Sequence, residues 1–313
     1  MNLIKKNVSL KDKNWFETGG CAEYYCNPKE IEEYIECCKF AKENNLKITI
    51  LGAGANVCIS DHGISGLVIT PKSDYINYEI NNQSIYLRVG AGLSIDNCIE
   101  YCLENNILGL EEFSGIPGTI GGALYINIHY FKFLISEFVY SAKIINIETL
   151  EVFTVNNEWF EFGYDHSKLF EKKYCLIETI FKLKSCEYKD AYYAKGRSYE
   201  IIRHRKQRYP YKGTCGSFFR NFHDHEVTLI SNGKKNIYSA YYLDNVCVKG
   251  SLKIGDAGVS RQHANMIVNF GNATSQDILN VAIEMQKRVL KEFGILLKSE
   301  CEFLGFENYP ILK

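Results

Sequence analysis

Three glycine-rich segments are the first candidates for chemistry: Gly52-Ala53-Gly54-Ala55-Asn56, Gly90-Ala91-Gly92, and Gly115-Ile116-Pro117-Gly118-Thr119-Ile120-Gly121-Gly122-Ala123. Glycine lets a backbone approach a ligand closely, and a run of turned N–H groups can cradle a phosphate. The first two follow β-prone runs, Lys47–Leu51 and Ile85–Val89, which invites a dinucleotide reading. The Rossmann fingerprint needs a third glycine and an immediate helix. Val57 and Ile95 occupy that third position, so the fingerprint fails. A P-loop fails as well, because no Gly-Lys-Ser/Thr follows either loop. Alone, each loop reads as a plain turn. Together, three such segments next to strands can line one long anionic cofactor, and the pyrophosphate of FAD is the natural candidate.

Other reactive residue types carry less. The 12 cysteines are scattered without a C-x-x-C, and they read as small buried hydrophobes rather than metal ligands. Arg203–Arg208 is a basic run whose ordinary meaning is a solvated face. Formal charge is −1, which gives no electrostatic case for nucleic acid or an acidic membrane. The N-terminal residues lack the apolar stretch of a signal peptide, and no segment is apolar enough to span a bilayer. A cytoplasmic protein is expected.

The elements that must position these loops are legible in part. Asn27-Pro28 predicts the start of a helix, with Ile31, Tyr34, Ile35, Cys38 and Ala41 at helical spacing and Asn44-Asn45 as its stop. Gly66–Thr70 predicts a strand, and Val139–Ile147 with Glu151–Val155 a strand pair. Ser94 predicts the cap of a helix carrying Ile95, Cys98, Ile99, Cys102 and Leu103. The glycine density of Gly115–Ala123 argues against regular helix there. Thr274 and Asp277 form a capping box for a helix whose stripe is Ile278, Val281, Ala282, Met285, Val289, Leu290 and Phe293, closed by Gly294. The 313 residues suggest two or three domains, with boundaries near 72 and 195.

Seven segments, in order, resemble the UDP-N-acetylenolpyruvoylglucosamine reductase (MurB) family. They are Trp15–Ala22; Leu51–Asn56 with Asp61-His62-Gly63; Gly109-Leu110-Glu111 leading into Gly115–Ala123 and Asn127; and Gly216-Ser217-Phe218-Phe219-Arg220-Asn221. Gly258-Val259-Ser260, then His263-Ala264-Asn265 with Asn269 and Ala273-Thr274, and finally Phe293-Gly294-Ile295 through Glu300 to Phe303-Leu304-Gly305 complete the series. The resemblance implies an α+β fold with a two-part FAD-binding region of the vanillyl-alcohol-oxidase/PCMH type, residues 1–72 and 73–195. A C-terminal α+β substrate domain, residues 196–313, would follow. It implies a cytoplasmic, monomeric flavoenzyme of peptidoglycan synthesis, with FAD as cofactor and NADPH as co-substrate. Such an enzyme reduces UDP-N-acetylglucosamine enolpyruvate by hydride from FAD N5 and a proton from serine, binding neither nucleic acid nor membrane.

Carried over residue by residue, the resemblance makes Ser217 the proton donor and Glu300 the catalytic carboxyl. Glu302 is the alternative register, and the spacing to Phe303-Leu304-Gly305 favours Glu300. Gly52, Gly54, Asn56, Gly118 and Gly122 would line FAD. Asn221 and Tyr164 would meet substrate, and Arg205 either the UDP diphosphate or solvent. No metal is implied.

The chain also departs from the family pattern. Tyr164-Asp165-His166-Ser167 stands where Tyr-Arg-x-Ser is usual, so a carboxylate replaces the cation that steadies the developing enolate. Ile128-His129-Tyr130-Phe131-Lys132 replaces small residues beside the expected flavin. Ala55 and Asn14 stand at a usual serine and threonine. Three readings follow: a working reductase in which His129, His166 or Lys132 supplies the cation, a flavin-binding relative with altered oxidoreductase chemistry, or a nucleotide-sugar binder without turnover.

Overall fold

A computed structural model describes residues 3–82, 84–231 and 233–313. The chain packs as two units, and each draws on separate stretches of sequence. Unit 1 comprises Met1–Val8, Ala22–Ala53 and Ser65–Arg205; unit 2 comprises Ser9–Cys21, Gly54–Ile64 and Lys206–Lys313.

Unit 1 has two hydrophobic clusters. The first lies under a four-stranded sheet in the order Lys5–Ser9, Cys21–Cys26, Ile64–Ile69, Ile48–Ile50, whose last pair is parallel. Helix α1, Ile31–Glu43, packs Tyr34, Cys37, Cys38 and Ala41 against Leu67 and Ile69. The helix starts later than Asn27-Pro28 predicts. Glu30 caps it, and the Glu33 carboxylate takes the N–H groups of Lys29 and Glu30 at 2.6 and 3.3 Å. Pro28 instead offers its carbonyl to the N–H of Lys72 at 2.8 Å, which holds it outside the helix. The capping box outcompetes the proline start.

The second cluster lies on a six-stranded sheet. Its path is Val152–Asn156, Val139–Asn146, Tyr174–Ser185, Ser84–Gly90, Ile76–Asn81, with the short Ile107–Leu108 also paired to Tyr174–Ser185. Helix α2, Ile95–Glu104, is capped by the Ser94 hydroxyl as predicted. Helix α3, Ile120–Ile126, begins inside the glycine-rich segment whose composition argues against helix. The Thr119 hydroxyl caps it, and burial of Ile120, Ala123 and Leu124 offsets the cost of two glycines. Helix α4, Tyr188–Arg208, has no counterpart among the sequence-based expectations. It buries only Ala191, Ser198 and Ile201, while Tyr188, Tyr192, Tyr193 and Tyr199 are exposed, so no apolar stripe announces it. The basic run is its last turns, and position 195 falls inside it.

Unit 2 holds helix α5, Ser239–Asn245, and helix α6, Ser275–Phe293, beside an antiparallel sheet of Lys253–Ile254, Ala257–Val259 and Ile267–Asn269. The capping box of Thr274 and Asp277 is present, and Gly294 ends α6 at φ +69°. Of the predicted stripe, Ile278, Val281, Ala282, Met285 and Val289 are buried, whereas Leu290 is exposed. Glu302–Leu304 runs parallel to Val57–Ile59, and Asp61 binds the N–H and hydroxyl of Ser275 at 3.0 and 2.8 Å. Among the described residues no helix is long and apolar enough to cross a membrane.

Gly54 is fixed by two constraints. Its φ is +66°, and a Cβ there would lie 2.6 Å from Asn14 Cα. The carbonyl of Gly54 also takes the Trp15 N–H at 3.0 Å. Gly54→Ala is therefore expected to lower the stability of unit 2 by about 2 kcal/mol or more, read as a drop of several degrees in the melting temperature of apoprotein.

Candidate active site

In unit 1 Gly52, the Gly90–Gly92 turn and the Gly115–Ala123 segment come together. A Cβ on Gly52 would lie 2.8 Å from Thr119 Oγ1 and 3.9 Å from the Gly122 nitrogen. The backbone N–H groups of Ile120 and Gly121 bond to Leu93 and Ala91 at 2.9 and 2.8 Å, and Ile95 bonds to Gly118 at 3.1 Å. The Gly122 N–H is taken by Thr119 Oγ1 at 3.2 Å. The first turn of α3 thus has its donors satisfied within the protein, so Gly122 contributes room rather than a donated hydrogen bond. At Gly118 a Cβ would meet only Ile95 Cδ1, at 3.4 Å; at Gly122, only Thr119 Oγ1, at 3.5 Å. These two positions stay open where Gly52 and Gly121 are packed.

In unit 2 Ser217 and Glu300 are drawn from distant parts of the chain by main-chain pairing. The Phe218 carbonyl accepts the N–H of Glu300 at 2.9 Å and of Cys301 at 3.3 Å. Phe219 bridges to Ser299, and Arg220 donates its N–H to Lys298. Gly216 makes the entry turn at φ +81°, and the rings of Phe218 and Phe219 are fully buried. Ser217 and Glu300 are half-buried between that core and solvent. Asn56 joins the same frame: its carbonyl takes the Glu302 N–H at 3.0 Å and its Nδ2 donates to the Glu300 carbonyl at 3.3 Å.

Asn265, named in the sequence only as part of a matching segment, holds this frame. Its carbonyl accepts from the Phe218 N–H, its Oδ1 accepts from the Phe219 N–H, and its Nδ2 donates to the Phe219 carbonyl, at 2.8, 3.1 and 2.7 Å. Next to it, His263 Nδ1 accepts the Asn265 N–H at 3.2 Å. Burial, and then the Arg208 cation, pull the His263 imidazole down to about 4. An unfolded chain takes up that proton near pH 6.5, the folded one only near 4. Stability is therefore lost as pH falls below 6.5. The expected loss between pH 7 and pH 5 is about 2 kcal/mol, absent in His263→Gln, and denaturant melts at the two pH values check it.

The substrate-side candidates are distributed. Asn221 Oδ1 accepts the Ser239 N–H at 3.2 Å, which orients its amide in unit 2. The neighbouring Arg220 is clamped by Glu226, whose carboxyl Arg220 and Lys298 hold well below the usual carboxylate range. Tyr164 and Arg205 belong to unit 1. Arg205 is anchored there, donating to the Gly115 carbonyl at 3.0 Å and lying over the Tyr130 ring. Of the cations considered for the missing arginine, Lys132 lies over Phe133, and His166 is exposed against Phe170. Only His129 approaches Asp165, with Nδ1 to Oδ1 at 3.3 Å.

A sequence model for the FAD binding domain matches residues 22–152, and one for the C-terminal domain of UDP-N-acetylenolpyruvoylglucosamine reductase matches residues 207–304. A protein of that name from Caldicellulosiruptor saccharolyticus is 32% identical over 310 residues, spanning 98% of this chain and 94% of its own. The chain belongs to the UDP-N-acetylenolpyruvoylglucosamine reductase family. A second reductase of the family, from Synechocystis sp., is 32% identical over 97% of this chain and 91% of its own. The crystal structure of the Thermus caldophilus reductase superposes with a TM-score of 0.76 at 24% identity, covering 96% of this chain and 99% of that one, and so shares its fold.

The residues present fit the family's FAD. Gly118 and Gly122 leave a cradle that a side chain would fill. In unit 2, Asn56 Oδ1 is buried without a hydrogen-bond partner among the described residues. Asn14, at the usual threonine, is structural: its Nδ2 donates to the carbonyls of Leu10 and Thr18, both at 2.7 Å.

Proposed function

We propose that the chain reduces the enolpyruvyl ether of UDP-N-acetylglucosamine enolpyruvate to UDP-N-acetylmuramate, working as a cytoplasmic monomer in peptidoglycan synthesis. Bound FAD would supply the hydride chemistry, relaying hydride from NADPH to the terminal enolpyruvyl carbon. The other carbon of that double bond then needs a proton, and Ser217 supplies it. A serine hydroxyl is a weak acid, so it performs this step only when held in place. The observation that supports the reading is the main-chain pairing of Phe218 with Glu300 and Cys301, reinforced by Asn265, which holds together the segments that carry Ser217 and Glu300. Glu300 polarises the substrate carboxylate or assists the proton transfer. Gly52, Gly54, Asn56, Gly118 and Gly122 line the cofactor; Asn221, Tyr164 and Arg205 serve the nucleotide sugar. The domain reading is FAD-binding subdomains at residues 1–72 and 73–195 and a substrate domain at 196–313; the packing divides the chain differently, with residues 9–21 and 54–64 in unit 2 and unit 1 running on to Arg205.

Anaerobic mixing tests the reading. NADPH should bleach the yellow protein, and UDP-N-acetylglucosamine enolpyruvate should restore the colour. Bleaching without restoration would point to altered oxidoreductase chemistry; a colourless protein that takes up no FAD would overturn both enzyme readings. Glu300→Gln is expected to leave bleaching unchanged and to slow restoration on the order of 10²-fold, as stopped-flow absorbance would show.

A further inference from the structure

One carboxylate in unit 2 binds both segments that the proposed chemistry needs. Glu226 accepts from Arg220 Nη1 and Nη2, each at 2.8 Å, from Lys298 Nζ at 2.7 Å and from the His223 N–H at 2.9 Å. Arg220 follows Ser217 closely in the chain, and Lys298 closely precedes Glu300. The Glu226 side chain is 14% exposed and that of Arg220 18%, so neither charge is well solvated and their hydrogen bonds are of the strong, charge-assisted kind. Arg220 first, and then Lys298, hold the Glu226 carboxyl well below the usual carboxylate range, so it is ionised at neutral pH.

The carboxylate is offered from a fixed point. Asp224–Glu226 is a single 3₁₀ turn, closed by the Glu226 N–H on the His223 carbonyl at 2.9 Å. Phe222 before the turn and Val227 after it are buried in the core of unit 2. The ladder it fastens is short: Phe218 bonds to Glu300, Phe219 bridges to Ser299, and the Arg220 N–H bonds to the Lys298 carbonyl at 3.0 Å. Two strands paired over so few residues have little register of their own, and a slip of one residue turns every side chain to the opposite face. Arg220 and Lys298 stand at the end of that ladder, and without a shared anion the two cations would repel each other. Arg220 Nη1 also donates to the Asn221 carbonyl at 2.7 Å, so the same ion pair steadies a residue proposed above to serve the nucleotide sugar.

We propose that Glu226 is a positioning residue of the reduction, which sets the register of the segments carrying Ser217 and Glu300 by binding Arg220 and Lys298 at once. It acts through these two cations rather than on the substrate. The half-reaction that consumes a proton then depends on Glu226, and the reduction of the flavin by NADPH does not. The inference rests on the function proposed above.

The test uses holoenzyme at a temperature well below the melting point of each protein, and reads bleaching by NADPH and restoration by UDP-N-acetylglucosamine enolpyruvate. Glu226→Gln, which keeps the shape and removes the charge, should bleach at the wild-type rate and recover its colour about 10–10²-fold more slowly, because a small displacement of a reacting group costs on that order. Glu226→Asp keeps the charge and should lose less in the same half-reaction. Lys298→Met, which leaves the pair of Arg220 and Glu226 in place, should slow restoration roughly threefold. Glu284→Gln is the control: it breaks an ion pair with Arg288 on α6, 2.8 Å long, and should restore at the wild-type rate. A Glu226→Gln protein that restores at the wild-type rate, slows equally in both halves, or slows no more than Glu284→Gln overturns the inference alone. If Glu226→Gln does not fold, Lys298→Met decides, and its restoration at the wild-type rate overturns the inference. Wild-type protein that is bleached but not restored overturns the proposed function and this inference with it.

Discussion

Ser217→Ala should bleach with NADPH as fast as wild type and recover its colour with substrate at least ~10³-fold more slowly. The asymmetry follows from where the hydroxyl acts. Hydride arrival at the cofactor needs no proton from the protein strand, whereas saturation of the enolpyruvyl double bond does. The substitution leaves the frame intact, because the segment is held by main-chain bonds: the Phe218 carbonyl to Glu300 and Cys301, and the Phe218 and Phe219 N–H groups to Asn265. The neighbouring rings of Phe218 and Phe219 remain fully buried, so the melting temperature should change little. Loss of a group that acts only in the transition state lowers kcat and kcat/KM together, and that signature is expected with varied substrate. Restoration at the wild-type rate would remove Ser217 from the mechanism.

Legibility from sequence follows the range of the interactions. Helix α6 is readable because its cap, stripe and terminal glycine are all local. The start of α1 departs from expectation because Pro28 is a local signal overruled by a tertiary one, the bond from Lys72 to its carbonyl, together with the Glu33 box. Helix α4 leaves no trace, since a mostly solvated helix carries no apolar period. At Gly121-Gly122 composition argues for loop, yet the Thr119 cap and three buried neighbours make a helix. The pairing of the segment of Ser217 with that of Glu300 is visible in the sequence only through resemblance, because the main-chain bonds that make it join remote parts of the chain. The role of Asn265, which the sequence shows only as part of a matching segment, stays hidden for the same reason: an asparagine that bonds a backbone elsewhere looks like any turn asparagine until the segment it clamps is in view. The contact between His129 and Asp165 is equally nonlocal, although each residue stands out singly.

Gly122 offers a way to separate room for the cofactor from stability of the protein. Most glycines here cannot accept a side chain without a clash inside the protein: on Gly52 a Cβ would press Thr119 Oγ1 at 2.8 Å, and on Gly121 it would press the Ala91 carbonyl at 3.1 Å. Loss of FAD from those variants would say little, since the loops themselves would shift. At Gly122 the nearest atom is Thr119 Oγ1 at 3.5 Å, an ordinary contact. The residue is helical and its N–H is already capped, so alanine there should stabilise apoprotein by about 0.5–1 kcal/mol through helix propensity. If the space beside Gly122 belongs to the cofactor, the added carbon overpacks it at a cost of about 1–3 kcal/mol, a factor of roughly 10–100 in affinity. Gly122→Ala is thus expected to melt at or above the wild-type temperature without FAD and to bind FAD about tenfold more weakly. Gly122→Leu should stay folded and purify nearly colourless. Titration of apoprotein with FAD, followed by quenching of flavin fluorescence, measures both; a Gly122→Leu protein that binds FAD with wild-type affinity would place the cofactor elsewhere and remove Gly122 from the site.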